Sequence, residues 1–487
     1  MTTLRSPMAI AIPVLATYSV VQAELTYPLS HCRWTDYAAP TSVNLDGGGM
    51  TRANLHRIGK ILFGIVCFAL SGCQWPMRTE AASAGAGTPS PGSISGSAPR
   101  FSADGPDADE YGARLGYPVK AINRPRYFVG IFSHYDQLLE GRLIRRADTP
   151  SRLARASVEP ALSYMYDGQK RTIDDYLARN PTTGLIVARG DTILVERYQY
   201  GRNDRHRFTS ASMAKTVTAM LIGIAISEGR IRSLDDPAAA YVPALADTEY
   251  GRTSLRHLLQ MSSGVRFEEN YSGADDVRRL VLETILQESA GGAVTVRPFN
   301  QRHRLGGAVF SYSSAETQVL GLVLSNAVGS TVAEYLRQRL WEPMGAEGDA
   351  TWIIDAAGQE ATYCCLNVVL RDYARLALLL AHDGRLGHRQ IIPSDWVREA
   401  TTVPADRPDL HVVWPETQLG YGYQTWIFNG ERRMFALIGV HGQAIYVDPT
   451  SGLVLVHTAV RRQAADPNKE TLALWRGIVD SVGGPHK

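Results

Sequence analysis

The chain has 487 residues, of which 45% are hydrophobic, and its formal net charge is +2. This length and an ordinary apolar fraction are typical of one large globular domain with appendages, or of two or three domains. The near-neutral charge gives no electrostatic reason to expect nucleic acid, and no helix-turn-helix, RRM or zinc-finger pattern occurs in the sequence. We therefore expect no nucleic-acid partner.

Residues 50–73 have the order of a secretory signal. Basic residues follow Met50, the apolar run 61–70 comes next, and Leu70-Ser71-Gly72-Cys73 closes the segment. The run is too short to span a membrane as a mature helix, so we expect a signal peptide. Its ending resembles a bacterial lipobox, which implies a lipidated Cys73 and a lipid-anchored place in the cell envelope, at the periplasmic face of an outer membrane. A plain cleaved signal or a chance apolar run is the alternative.

The segments on either side of this signal need separate interpretations. Residues 1–49 precede it, and a start codon assigned too early is the simplest account of them; the rival is an earlier signal within residues 8–23. Residues 74–105 contain mostly Ser, Gly, Ala and Pro from position 79 onwards, a composition that cannot bury a core and predicts a flexible tether. Residues 106–487 are then the folded domain.

Strands are predicted at both ends of the folded part, with helices between them. Two apolar runs around the turn Arg189-Gly190-Asp191 predict a hairpin over residues 184–200. Helical periodicity predicts helices over 255–259, 275–288, 315–328, 330–340, 370–382 and 468–482, and strands are predicted over 424–429, 434–440, 444–447 and 453–457. This order favours an α+β fold, with an antiparallel sheet built from both chain ends and flanked by helices.

The most informative stretch is Ser212-Met213-Ala214-Lys215, an S-x-x-K pattern that opens an apolar segment ending at Gly229. The segment contains no Pro, which predicts a buried helix with both side chains on one face. An amine kept uncharged by apolar burial can take the proton of a serine hydroxyl. The N–H groups of the helix start can stabilise an oxyanion. A pattern this short also arises about once by chance in such a chain.

Three further blocks follow in the chain. They are residues 258–265, Ser311-Tyr312-Ser313-Ser314 and Val440-His441-Gly442-Gln443. Together with S-x-x-K they resemble the serine β-lactamase and penicillin-binding-protein superfamily over residues 120–487, in its class C-like branch, and more closely the 6-aminohexanoate-dimer hydrolases. The resemblance implies a β-lactamase/transpeptidase-like fold with a mostly helical subdomain. It also implies a serine hydrolase that cleaves a small amide or ester through an acyl-serine.

The resemblance implies a role for each block. Ser212 would be the nucleophile, Lys215 its base and Tyr312 a second acid–base that relays a proton to the leaving group. Tyr312 would need nearby positive charge for this, because a phenol titrates near pH 10; the alternative is a core-facing aromatic. The N–H of Ser212 and one from the strand Val440, His441, Gly442, Gln443 would form the oxyanion hole.

Some positions depart from the family pattern. Ser314 stands in place of the usual Asn, and no Lys stands in His441-Gly442-Gln443, where the family has K-T-G. Those family positions grip the amide and carboxylate of a β-lactam, so we expect weak β-lactam turnover unless Arg432 or Arg433 restores the charge. His441 is predicted to be a hydrogen-bonded wall residue rather than a base. Ser314 and Tyr271 are weaker candidates for the mouth of the site.

Two rival functions stay open at this stage. One is a D-Ala-D-Ala carboxypeptidase or a β-lactamase, and the other is a non-catalytic envelope protein that binds peptidoglycan fragments. No cofactor and no metal are predicted, since His382 and His388 fit no metal-ligand spacing. The adjacent Cys364 and Cys365 are predicted to be buried thiols, because sequence neighbours rarely bridge each other. The sequence does not indicate an oligomeric state.

Overall fold

The computed structural model describes residues 101, 124–464, 467 and 469–484, and every structural statement below concerns these. The predicted N-terminal extension and the signal lie outside the described residues, as does the tether apart from Phe101. Within the described ranges no single helix is long and apolar enough to cross a membrane. One bent pair, Ser314–Val328 with Val332–Trp341, meets that test by length and composition.

The strands of the described residues fall into four sheets. They are β1 (Gly141–Ile144), β2 (Ala154–Arg155), β3 (Ser163–Tyr166), β4 (Gln169–Thr172), β5 (Thr182–Arg189), β6 (Thr192–Tyr198), β7 (Arg207–Thr209), β8 (Ala350–Ile353), β9 (Leu366–Val369), β10 (Arg385–Leu386), β11 (Arg389–Gln390), β12 (Leu419–Tyr421), β13 (Trp426–Phe428), β14 (Phe435–Gly439), β15 (Gln443–Asp448) and β16 (Leu453–Ala459). The predicted hairpin and the predicted C-terminal strands are therefore confirmed.

An eight-stranded sheet joins the two ends of the folded part, in the order β12-β13-β14-β15-β16-β5-β6-β2. Its pairs are antiparallel except for β2 with β6. A second sheet, β1-β8-β9-β7, is antiparallel throughout. The hairpins β3-β4 and β10-β11 are separate. The sheet built from both chain ends is thus present as the sequence predicted.

The described residues contain eleven helices. They are α1 (Phe128–Phe132), α2 (Tyr135–Leu138), α3 (Ile173–Arg179), α4 (Met213–Ser227), α5 (Leu255–Leu259), α6 (Asp276–Thr284), α7 (Ser314–Val328), α8 (Val332–Leu336), α9 (Leu370–Ala381), α10 (Ser394–Ala400) and α11 (Lys469–Val482). Short 3-10 turns occur at Pro125–Tyr127, Ala238–Ala240, Pro243–Leu245, Gly292–Thr295, Pro408–Leu410 and Val440–Gly442, and a π-helical turn at Arg337–Trp341. The predicted helix 330–340 is therefore split into α8 and this turn.

The main sheet is buried on both faces. Along β5, Ile186 and Ala188 belong to the large core that contains α4, α7 and α9, whereas Leu185 and Val187 belong to the core shared with α3 and α11. Side chains alternate between the faces of a strand, so a strand covered on both sides is a continuous apolar run. This packing explains why α4 is apolar all round and places its first turn next to the end of β14.

Candidate active site

Ser212 and Lys215 lie in the first turn of α4, which the chain enters from β7. Ser212 is the residue at the helix N-terminus, and Ala211 before it has a φ of +43°. A positive φ is costly for a residue with a side chain, and such backbone is common at functional sites. Lys215 Nζ lies 3.0 Å from Ser212 Oγ. The tight turn therefore brings the hydroxyl and the amine into hydrogen-bond contact.

The Lys215 amine is enclosed by polar acceptors and aromatic rings. The side chain is buried, with 1% exposed, and Nζ donates to Ser314 Oγ at 2.9 Å and to the Tyr363 carbonyl at 3.0 Å. Burial lowers the pKa of Lys215 to about 8, while the Glu269 charge acts in the opposite direction. A neutral amine has two N–H groups and one lone pair, so these two acceptors leave the lone pair facing Ser212. The geometry thus suits a base that takes the Ser212 proton.

Tyr312 lies beside both Ser212 and Lys215. Its hydroxyl is hydrogen-bonded to Ser212, its ring centroid is 5.0 Å from Lys215 Nζ, and the ring stacks on Trp426 at 5.7 Å. Burial, and then the Glu269 charge, raise the pKa of Tyr312 above its ordinary value, although the Ser212 bond lowers it in part. The net effect of these surroundings is therefore opposite to the acidification that the proton-relay role would need. Tyr312 stays protonated near neutral pH and is suited to donating a proton.

Glu269 is a site residue that the sequence analysis missed. Its carboxylate accepts from Ser314 N at 2.7 Å and from Ser314 Oγ at 2.9 Å, and it accepts from the Tyr271 hydroxyl at 2.7 Å. Because Ser314 also binds Lys215, a hydrogen-bonded chain runs from the amine to this carboxylate. Ser314 and Tyr271, the weaker candidates, therefore both lie at the site. Nothing in the local sequence around Glu269 distinguishes it from an ordinary loop carboxylate.

Strand β14 comes close to Ser212 at its last residue, Gly439. A Cβ on Gly439 would lie 2.9 Å from Ser212 N and 2.8 Å from Ser210 O, so only glycine fits at this end of β14. Val440 and His441 follow and line the cavity beside Ser212. The backbone nearest Ser212 is therefore that of Gly439 and Val440. Gly439 lies just before the predicted block 440–443 and Val440 is its first residue, so the close approach is not at the centre of the block.

The other two residues of that block turn away from the cavity. Gln443 Nε2 donates to the Ala459 carbonyl at 2.6 Å, and the Gly442 carbonyl lies 2.8 Å from His457 Nδ1. Gly442 is buried against Ala459, with a φ of +91°. Gly442 therefore gives a substrate no room, because its open side faces β16 rather than the cavity.

His441 lies in the wall of the cavity. Its Nδ1 lies 2.7 Å from the Arg461 carbonyl, and its ring meets that of Phe128 edge-on at 4.7 Å. Burial lowers the pKa of His441, so the imidazole is neutral near pH 7. Arg432 pairs with Asp448, and Arg433 pairs with Asp383. Neither arginine restores the positive charge of the missing lysine.

Cys364 and Cys365 are bonded to each other as a disulfide. The prediction of two buried thiols is therefore wrong in its chemistry, although both side chains are buried. In an extended strand, neighbouring side chains point to opposite faces. Cys365 has a φ of +65° instead, so its side chain need not point away from that of Cys364. Both cysteines line the cavity beside Ser212.

The cavity in front of Ser212 has a volume of about 650 Å³, within the usual range for small-molecule sites. Its aromatic lining includes Phe128, Phe132, Tyr135 and Tyr363, and its charged lining residues are Glu269, Asp275, Arg278 and Arg462. A serine nucleophile with a buried base, at the wall of such a cavity, can carry out acyl transfer.

The sequence model of the beta-lactamase family matches residues 170–476, and the chain belongs to that family. It is a serine hydrolase. The chain is 28% identical over 324 residues to the 6-aminohexanoate-dimer hydrolase of Paenarthrobacter ureafaciens, with 64% of this chain and 79% of that protein covered.

Two solved structures share the fold. The structure named "Putative 6-aminohexanoate-dimer hydrolase from Bacillus anthracis" matches with a TM-score of 0.67 and 23% identity, over 75% of this chain and 97% of that chain. The structure named "Crystal structure of putative beta-lactamase from Bacteroides dorei DSM 17855" matches with a TM-score of 0.51 and 20% identity, over 64% of this chain and 97% of that chain. The β-lactamase/transpeptidase-like fold implied by the sequence is therefore confirmed.

Proposed function

We propose that this serine hydrolase cleaves small linear amides or esters through an acyl-serine, with Ser212 as nucleophile, Lys215 as base and Tyr312 as proton donor. The contact between the buried Lys215 amine and Ser212 Oγ, at 3.0 Å, carries the proposal. The Lys215 pKa of about 8 leaves a usable fraction of neutral amine near neutral pH. The tyrosine hydroxyl on the same serine supplies the second proton-transfer group that an amide leaving group requires.

The reaction follows from these positions. Lys215 takes the Ser212 proton as Oγ attacks the substrate carbonyl, and the resulting oxyanion accepts from the N–H of Ser212 and from an N–H at the Gly439–Val440 end of β14. Tyr312 gives its proton to the departing nitrogen or oxygen, so the pair removes one proton from the nucleophile and returns one to the leaving group. Water then attacks the acyl-serine. The deprotonated Tyr312 takes a proton from this water, and Lys215 returns its proton to Ser212 Oγ as the acid departs, which restores the starting state. Each oxyanion donor is worth about 10²–10³ in rate.

Linear substrates are favoured over β-lactams for an electrostatic reason. A cation paired with the β-lactam carboxylate would contribute about 1.5–3 kcal/mol. Here His441 is held neutral by burial, and Arg432 and Arg433 are paired with Asp448 and Asp383. The relative from Paenarthrobacter ureafaciens is named for a linear amide, which supports the same choice.

A substrate panel tests the proposal. We expect kcat/KM for p-nitrophenyl butyrate and for the 6-aminohexanoate dimer to exceed that for nitrocefin and for a D-Ala-D-Ala peptide. A fluorophosphonate probe should label the wild type. Nitrocefin turned over faster than the ester would contradict the substrate class, and absence of labelling together with no turnover of any substrate would contradict the enzyme mechanism.

We further propose that the protein is lipid-anchored through Cys73 at the periplasmic face of an outer membrane. The support is the basic–apolar–lipobox order of residues 50–73 and the tether composition behind it, which lie in the part of the chain that is not described. A single acyl chain binds membranes only weakly, so stable anchoring needs the several chains of a lipoprotein.

Cys73→Ser should therefore move the protein from the membrane pellet to the soluble fraction. Cys67→Ser, a cysteine within the same apolar run, is the matched control and should leave the protein in the pellet. Mass spectrometry of the mature N-terminus completes the test. A Cys73→Ser protein that still sediments with membranes, or a mature N-terminus upstream of Met50, would contradict the proposal.

A further inference from the structure

We propose that the cavity beside Ser212 is an acyl pocket for an uncharged aliphatic chain, and that it discriminates against an acyl chain ending in an ammonium group. This inference rests on the proposed function and names the substrate class that the same site prefers. The observation that motivates it is an apolar wall formed by the N-terminal helices and α6, with both cavity carboxylates already engaged.

Two elements supply the apolar wall. Helix α6 and the residue after it contribute one face at intervals of four residues, and α1 and α2 contribute aromatic rings. The lining residues are Val277, Val281 and Ile285 from the first element and Phe128, Phe132 and Tyr135 from the second. The aromatic side lies before residue 170, where the family match begins. This part of the wall therefore lies outside the region that the family model matches.

The aromatic wall is continuous with the catalytic strand. The rings of Phe128 and Phe132 stack at 4.8 Å, and both meet the His441 ring, at 4.7 and 5.4 Å. His441 is in turn held by the Arg461 carbonyl. An acyl chain whose carbonyl lies against β14 and Ser212 would therefore run directly along these rings.

The position of Tyr312 assigns the cavity to the acyl half of the substrate. Tyr312 donates towards the leaving group, and its ring packs on Trp426 and Tyr421. It is not part of the cavity lining, whereas Tyr363 and Ser314 are. The leaving group then lies beside Tyr312 and the acyl chain occupies the cavity.

The charges around the cavity disfavour a terminal ammonium group. Asp275 accepts from the backbone N–H groups of Asn270 at 2.9 Å and Tyr271 at 2.6 Å, and Glu269 accepts three hydrogen bonds from Ser314 and Tyr271. The remaining charged lining residues, Arg278 and Arg462, are cationic. A buried ammonium group would lose hydration next to this positive charge. Each of the two carboxylates already accepts three hydrogen bonds, which leaves little capacity to replace that hydration.

Two amides with the same scissile bond and leaving group test the inference directly. N-hexanoyl-6-aminohexanoate and the 6-aminohexanoate dimer differ only in the terminal amine of the acyl half. We expect kcat/KM for the hexanoyl compound to be at least tenfold higher at pH 7. Equal values, or a higher value for the dimer, would overturn the inference.

A second measurement varies the chain length of p-nitrophenyl esters from acetate to octanoate. Burial of each methylene should raise kcat/KM by up to about fourfold, the equivalent of about 0.8 kcal/mol. Phe132→Ala should reduce the octanoate-to-acetate ratio by about tenfold, since the half-buried ring is lost from the wall. Leu138→Ala, a half-buried leucine of the same segment outside the cavity lining, is the matched control and should leave the ratio unchanged.

The outcomes separate this inference from the proposed function. Turnover of acetate with no dependence on chain length would overturn the acyl pocket and leave the serine mechanism intact. No turnover of any ester or amide, with no fluorophosphonate labelling, would overturn both. If Phe132→Ala does not fold, the pair of amides decides the question with the wild-type protein.

Discussion

Lys215 is the residue on which the chemistry depends, because its surroundings set both its charge and its direction. Burial favours the neutral amine, and the acceptors Ser314 Oγ and Tyr363 O occupy its N–H groups. Ser212 is thereby left facing the lone pair. At the scale of single residues the site lowers the pKa of one amine and orients it towards Ser212.

Ser212→Ala should reduce kcat by about 10⁴-fold or more, because residues that act as one unit lose most of their effect when one is removed. Hydrolysis of p-nitrophenyl butyrate and fluorophosphonate labelling measure this. Ser227→Ala, at the exposed end of the same helix, is the matched control and should keep full activity. Turnover by the Ser212 variant at the wild-type rate would show that Ser212 is not the nucleophile.

Glu269→Gln should shift the pH profile of kcat/KM. Activity rises with pH as Lys215 loses its proton, and the Glu269 charge raises the pKa of Lys215. Removing that charge lowers this pKa further, so the rising limb should move to lower pH. The maximal rate should also fall, since Ser314 and Tyr271 lose a charged acceptor.

The control for this experiment is Glu268→Gln, the exposed neighbour that pairs with Arg266. Its pH profile should match that of the wild type. A limb for Glu269→Gln that stays in place or moves to higher pH would show that the carboxylate does not act on Lys215.

At the scale of elements, the site is the meeting point of the start of α4, the start of α7 and the end of β14. The close approach of β14 to α4 depends on Gly439, because a Cβ there would lie within 3 Å of Ser210 O and Ser212 N. Real structures do not tolerate such contacts, so a side chain would force the two elements apart.

Gly439→Ala should therefore lower kcat by about 10²-fold, the effect of misplacing one oxyanion donor, with a smaller loss of thermal stability. Steady-state kinetics and thermal unfolding measure the two effects. Gly484→Ala, where a Cβ would meet nothing within 4 Å, is the control. A Gly439 variant with normal kcat would show that the approach is not needed for catalysis.

At the scale of the whole molecule, the core contains a carboxyl group that opposes stability at high pH. Glu316 in α7 is buried, with 1% exposed, and it accepts from the Ser263 hydroxyl and N–H. Burial raises the pKa of Glu316 to about 8. The folded state therefore holds this proton more tightly than the unfolded state, whose ordinary pKa is 4.5. The stabilisation of the fold by protonated Glu316 is fully present below pH 4.5 and is lost as the pH rises towards about 8.

Glu316→Gln keeps a neutral acceptor and removes this loss. We expect the free energy of unfolding of the variant, relative to that of the wild type, to increase as the pH rises from 5 to 8, by on the order of a few kcal/mol. Urea unfolding at pH 5, 6.5 and 8 measures the difference, and the exposed Glu288→Gln is the control. A constant difference across this range would show that Glu316 is already ionised in the fold.

Local sequence was sufficient for the helices, the strands and the S-x-x-K pair, because periodicity and breakers are properties of neighbouring residues. The sequence alone therefore determined that a serine and a lysine share one face of a buried helix, and that the two chain ends supply the sheet. The tertiary structure alone decided that Glu269 reaches Ser314, that Val440 and His441 rather than Gly442 and Gln443 face the cavity, and that α1 and α2 close it with aromatic rings. These contacts join residues far apart in the chain or depend on which way a turn points, and only the packing of the whole molecule sets such distances.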